Sequence, residues 1–106
     1  MDGRVHLTER WFALVRHVLP GMAAADHWPI RADHCFMRVC LDVSLGAAWP
    51  GVVRAPAYRH LSDAQLAEAI ALAERVVTIP DTLSALNARS LGMRQTWRAA
   101  GSPKAR

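Results

Sequence analysis

Apolar positions recur at helical spacing along most of this chain, and nowhere does a run of strict alternation mark a strand. Trp11, Leu14, Val15, Val18 and Leu19 form a stripe that predicts a first helix over about 8–19, with Thr8 as its N-cap and Pro20-Gly21 as its stop. "GMAAADHWP" then reads as a connection. Phe36, Val39, Cys40 and Val43 follow an i, i+3, i+4, i+7 pattern and define a second helix, which Gly46 ends. Met37, Leu41 and Leu45 widen its apolar face so far that the helix is expected at the centre of the fold. Arg31, His34, Arg38 and Asp42 make up its narrow polar strip.

The third helix has the sharpest start. Ser62 and Gln65 are spaced as a capping box, with Leu61 and Leu66 as a hydrophobic staple. Leu66, Ile70, Ala73 and Val77 face inward, flanked by Ala69 and Val76, until Pro80. Asp81 is the expected cap of a last helix, on which Leu83, Leu86, Ser90, Met93 and Trp97 share a side. Asn87 falls within that arc and needs hydrogen-bond partners if buried. "AAWPGVVRAPAYRH" carries too many Pro and Gly for a long helix and reads as a loop, or a short helical turn around 49–53. The expectation is an all-α fold, a compact bundle of four to five short helices. Residues 1–101 form a single helical domain and residues 102–106 a flexible basic tail.

The length of 106 residues suits one domain with one modest core, and 52% hydrophobic residues is a globular composition. No apolar run approaches a membrane span, and the opening "MDGRVHLTER" lacks the apolar stretch of a secretory signal. Cys35 and Cys40 on one helix point to different sides, so they are expected as free thiols. Free thiols suit a reducing compartment, hence a cytoplasmic protein. The net charge of +4 is uneven: residues 1–81 carry eight Lys/Arg against nine Asp/Glu, whereas residues 82–106 carry five Lys/Arg and no acid. Such asymmetry attracts anionic partners, nucleic acid among them.

The conspicuous chemistry is Asp33-His34-Cys35 within "IRADHCFMRVCLD". If Asp33 caps the helix, it accepts a backbone N–H and the three residues have no catalytic arrangement. If the helix starts earlier, with Pro29 in its first turn, Asp33 points inward and needs a partner such as Arg54, Arg59, His60 or Arg94. A cysteine nucleophile at Cys35 gains from a helix N-terminus and loses from the adjacent carboxylate. His34, its neighbour in the helix, does not face it, which leaves His60 as a base. The His and Cys residues lack the paired short spacings of a zinc site, and His34 has Arg38 rather than a ligand at i+4. No metal and no cofactor is expected.

"RAPAYRHL" gathers Arg54, Tyr58, Arg59 and His60 in a proline-shaped loop before a helix N-terminus. Guanidinium pairs grip phosphate or carboxylate, and the helix start favours an anion. Trp97 with Arg94 and Arg98 is a minimal stacking platform for single strands.

Three runs, "HWPIRADHCFMRVCLD", "PAYRHLSDAQLAEAIALAE" and "LSALNARSLGMR", resemble a group of small bacterial proteins of unassigned function, across about residues 10–95. Members are sometimes labelled acetyltransferase-like. That activity in its common form requires a mixed sheet and a Gly-rich turn around pyrophosphate; here strands are lacking and Gly46, Gly51 and Gly92 are isolated. The resemblance therefore implies a shared small helical fold and no transferable catalytic residue. The sequence points to a non-enzymatic binding or adaptor domain, with Arg38, Arg54, Tyr58, Arg59 and His60 as ligand contacts. Its partner would be an anionic small molecule, nucleic acid or an acidic protein surface; a homodimer is compatible and a membrane is not expected. The alternative is a small transferase or hydrolase using Asp33, His34, Cys35 and His60.

Overall fold

A computed structural model describes residues 3–106, and all regular structure among them is helical. The N-terminal helix departs most from its expected bounds. Helix α1 (Gly3–Ala13) runs through a π-helical turn (Leu14–Val18) into α2 (Leu19–Asp26) without a break. Proline inside a regular helix lacks an N–H and its ring meets the carbonyl four residues back. The π turn just before Pro20 widens the backbone there: the Leu19 N–H reaches back five residues to the Leu14 carbonyl. Pro20-Gly21 is thus absorbed, and the helix stops at His27, whose φ of 54° is left-handed. Thr8 is not a cap, because its hydroxyl donates to the Arg4 carbonyl one turn earlier, at 3.0 Å. Trp11, Leu14, Val15 and Leu19 are buried, but the extra residue in the π turn rotates Val18 outward.

Helix α3 (Asp33–Leu45) buries Phe36, Val39, Cys40, Leu41, Asp42 and Val43, and packs against the N-terminal helix, α5 and α6. Gly46 ends it with a φ of 78°, a conformation that costs an L side chain and not glycine. A 3₁₀ turn (Trp49–Gly51) and a short helix α4 (Ala57–His60) follow, with a cis Ala55–Pro56 peptide between them. Helix α5 (Asp63–Thr78) opens on a complete capping box: Gln65 N–H donates to Ser62 Oγ at 3.1 Å, and Ser62 N–H to Gln65 Oε1 at 2.8 Å. Leu61 and Leu66 are both buried beneath it, as a staple requires. Helix α6 (Thr82–Ala99) starts without help from the Asp81 side chain; Thr82 Oγ1 donates to the Ile79 carbonyl instead.

Helix α5 lies on α1 and α3, while α6 leans chiefly on α3. The Cα frame measures 38 × 37 × 17 Å. A thickness of 17 Å accommodates two layers of helices at ordinary spacing, so many side chains are half-buried. Arg4 links the start of α1 to the Tyr58 carbonyl and to Asp63, joining α1, α4 and α5.

Residues 102–106, expected as a flexible tail, fold back across the 3₁₀ turn. Ala105 N–H donates to the Pro50 carbonyl at 2.8 Å, and Trp97 Nε1 to the Pro103 carbonyl at 2.7 Å. A Cβ at Gly51 would stand 3.3 Å from the Pro103 carbonyl oxygen, so a larger residue there would push the tail back by a few tenths of an ångström. No helix among the described residues is long and apolar enough to cross a membrane.

Candidate functional site

The polar strip of α3 is divided by its neighbours. Asp33 is the first residue of the helix, after an N-cap at Ala32, and its Oδ1 accepts the His34 N–H at 2.7 Å. It is exposed, so the inward carboxylate of the early-start alternative is absent. The inward carboxylate is Asp42, fully buried against α6. Four contacts surround it. Arg94 donates from Nε to Oδ2 at 2.8 Å and from Nη2 to Oδ1 at 3.2 Å. The Ser90 hydroxyl donates to Oδ2 at 2.8 Å, and the Trp49 backbone N–H to Oδ1 at 2.9 Å.

Arg38, one turn before Asp42, extends this network toward a surface cleft. Its Nη1 donates to Ser90 Oγ at 2.7 Å and its Nη2 to Asn87 Oδ1 at 2.8 Å. Both acceptors are neutral. The network thus holds two guanidiniums and one carboxylate, and Arg94 already chelates that carboxylate. Of five guanidinium N–H groups on Arg38, two are engaged among the described residues and three are not. A part-buried guanidinium without a carboxylate partner leaves an uncompensated positive charge in a low-dielectric setting.

The cleft has a volume of 270 Å³ and lies between the N-terminal helix, α3 and the segment 56–58. Trp11, Met37, Leu41 and Trp49 contribute apolar surface, and Arg16, His34 and Arg38 contribute positive or protonatable groups. No carboxylate lines it among the described residues. One wall is a stack: the Arg16 guanidinium sits 3.9 Å over the Phe12 ring, Phe12 meets Tyr58 edge-on at 4.9 Å, and Arg59 lies 5.6 Å over Tyr58. Arg59 Nε donates to the Tyr58 hydroxyl at 3.1 Å, leaving the phenolic proton to be offered elsewhere. Arg16 belongs to the π turn, so the turn that accommodates Pro20 also sets the register of this arginine.

Of the ligand contacts expected from sequence, Arg38 and Tyr58 line this cleft, and Arg59 adjoins it through Tyr58. Arg54 lines a different cleft, and His60 is exposed and lines neither. Among Asp33, His34 and Cys35, only His34 lines the cleft. The Asp33 carboxylate stands 3.7 Å from His34 Nδ1, both exposed, whereas Cys35 packs against the core edge. Burial pushes the Cys40 thiol up to about 12, which holds it as an unreactive neutral group. Among the described residues, no three His, Cys, Asp or Glu side chains gather as metal ligands do.

Sequence reasoning missed Arg16 and the Asp42 network. A signal for the network was present. Arg38 and Asp42 are four apart on α3, and Asn87, Ser90 and Arg94 fall at i, i+3 and i+7 on the inward side of α6. Two polar stripes of matching pitch on otherwise apolar faces are what a buried inter-helix network looks like in sequence. No family model, curated protein or solved structure matches this chain, so its function has to be read from this geometry.

Proposed function

We propose that this chain is a binding domain for a small organic anion, one carboxylate or phosphate group on an apolar body about the size of a single ring. The observation that carries the reading is Arg38: part-buried, oriented by Ser90 and Asn87, without a carboxylate partner, and at the edge of an aromatic-walled cleft. An arginine already fixed by two hydrogen bonds loses little side-chain freedom on gripping an anion. Arg16 and the Tyr58 hydroxyl supply further donors, while Trp11, Met37 and Leu41 favour an apolar body. The small volume argues against nucleotide-sized ligands in this cleft, since it falls just below the usual ligand range of about 300–1,000 Å³.

Trp11 and Trp49 line the cleft and report its occupancy by fluorescence. Titration with phenylacetate and benzylphosphonate is expected to give saturable changes, weakened by Arg38→Met. Phenylacetamide, which differs in charge and not in shape, is expected to bind at least about tenfold more weakly, as the loss of a charge-assisted bond implies. Equal binding of the acid and the amide, or none of either, overturns the reading.

A further inference from the structure

Two segments distant in sequence share one property. Residues 43–62 carry two arginines and no Asp or Glu; residues 82–106 carry four arginines, one lysine and no Asp or Glu. The fold joins them: the C-terminal residues cross the 3₁₀ turn through the Ala105–Pro50 and Trp97–Pro103 hydrogen bonds. The carboxylate that α6 does meet, Asp42, is buried and chelated by Arg94. The seam is therefore built from acid-free chain on both sides, which is the electrostatic footprint of a surface for polyanions.

A cleft of 380 Å³ opens at this seam. Both indoles, Trp49 and Trp97, line it, with Arg54, Lys104, Pro50 and Val53. Neither Arg54 nor Lys104 has a hydrogen-bond or ion-pair partner among the described residues, and no carboxylate lines the cleft. Both tryptophans are anchored, Trp97 through its ring and Trp49 through its backbone. Trp97 is tied by its Nε1–H to the Pro103 carbonyl and has the Arg94 guanidinium 5.4 Å from its ring. Trp49 is tied by its backbone N–H to Asp42. Half-exposed aromatic rings beside unpaired cations suit a nucleobase stacked on an indole with its phosphate on Arg or Lys.

We infer that this seam binds single-stranded nucleic acid, with a base at Trp97 and Trp49 and the adjoining phosphates on Arg54 and Lys104. A duplex suits it less, because duplex bases are stacked on one another and offer no free face to an indole. The site is separate from the small-anion cleft, although Trp49 borders both.

The test is fluorescence anisotropy of a labelled oligothymidylate of about 12 nucleotides, a length within the usual single-strand site range, at about 20 mM salt and upward. Binding is expected at low salt and is expected to weaken linearly on a logarithmic salt scale. Arg54→Glu with Lys104→Glu is expected to weaken it at least about tenfold, as loss of two phosphate contacts implies. Trp97→Leu is expected to weaken it about tenfold through lost stacking. Arg38→Met is expected to leave it unchanged, which separates this site from the proposed anion cleft. The charge-reversal pair lies outside the core and breaks no bond, so its result stands even if Trp97→Leu lowers stability. The inference is overturned by any of four results: no binding at low salt, equal affinity for a duplex of the same length, full affinity in the charge-reversed pair, or displacement of the strand by equimolar thymidine monophosphate, which would reassign the cleft to free nucleotides.

Discussion

Arg94 grips Asp42 side-on, with Nε on Oδ2 at 2.8 Å and Nη2 on Oδ1 at 3.2 Å, and thereby joins the last helix to the middle of the central one. Asp42 is wholly buried and Arg94 part-buried, so the carboxylate has no water as an alternative partner. Ser90 and the Trp49 N–H complete the carboxylate, and no buried side-chain polar atom among the described residues lacks a partner. The pair thus fixes three things at once: the packing of α6 on α3, the placement of the 3₁₀ turn, and, through Ser90, the orientation of Arg38.

Removing Asp42 alone is expected to be severe. Asp42→Ala leaves Arg94 charged and mostly buried, and leaves the Trp49 N–H without its acceptor. The expected loss is about 3–5 kcal/mol, read as a lowered urea midpoint. Asp42→Leu combined with Arg94→Met removes both charges and is expected to recover a good part of that loss. A double variant as unstable as the sum of the two single ones would show that the residues do not interact.

Arg38 separates binding from stability. Arg38→Met keeps the apolar stem and removes the guanidinium, while Ser90 still donates to Asp42. Stability is expected to fall by about 1 kcal/mol, and phenylacetate affinity by about tenfold or more. Arg38→Lys is expected to restore little, since one ammonium cannot span Ser90 and Asn87 and still face the cleft.

The two cysteines are expected to differ in accessibility. Iodoacetamide near pH 8 should label half-buried Cys35 in the native protein and reach Cys40 only as the chain opens, which mass spectrometry over time resolves. Cys40 also predicts a pH dependence. Its thiol stays protonated in the folded state up to about 12 but loses its proton from about 9 in the unfolded chain. Between those values the folded state binds more protons, so stability falls as pH rises. Its contribution is complete below pH 9 and is lost on the way to pH 12. Cys40→Ala is expected to flatten that alkaline decline; an unchanged slope would assign it to other groups.

Two helix ends offer simpler tests. Ser62→Ala removes half of the capping box and is expected to cost about 1 kcal/mol. Gly46→Ala places a Cβ in open space but at a φ of 78°, so its cost of about 1 kcal/mol is purely conformational. The sites share no partners, so the two losses are expected to add in thermal unfolding.

Helical class, the central position of α3, the stop at Gly46 and the capping box at Ser62 were all legible in sequence, because each depends on residues within one or two turns of each other. The bounds of the first helix were not. Local rules stop a helix at Pro20-Gly21, yet burial of Leu19 and Ala23 carries it onward, and the π turn supplies the room that proline needs. The candidate sites divide in the same way. Sequence alone placed His34, Arg38 and Asp42 on one strip of one helix and marked residues 82–106 as acid-free. It also offered Arg94, alongside Arg54, Arg59 and His60, as a partner for an inward carboxylate, but at Asp33 rather than Asp42. Only the tertiary structure decided that α6 covers the lower half of the strip, burying Asp42 and leaving Arg38 at a cleft. It likewise decided that the two acid-free segments meet beside a pair of tryptophans. Intrahelical spacing determines which residues share a face; which faces meet depends on packing between elements far apart in the chain, and that packing determines whether a charge is solvated, neutralised or left for a ligand.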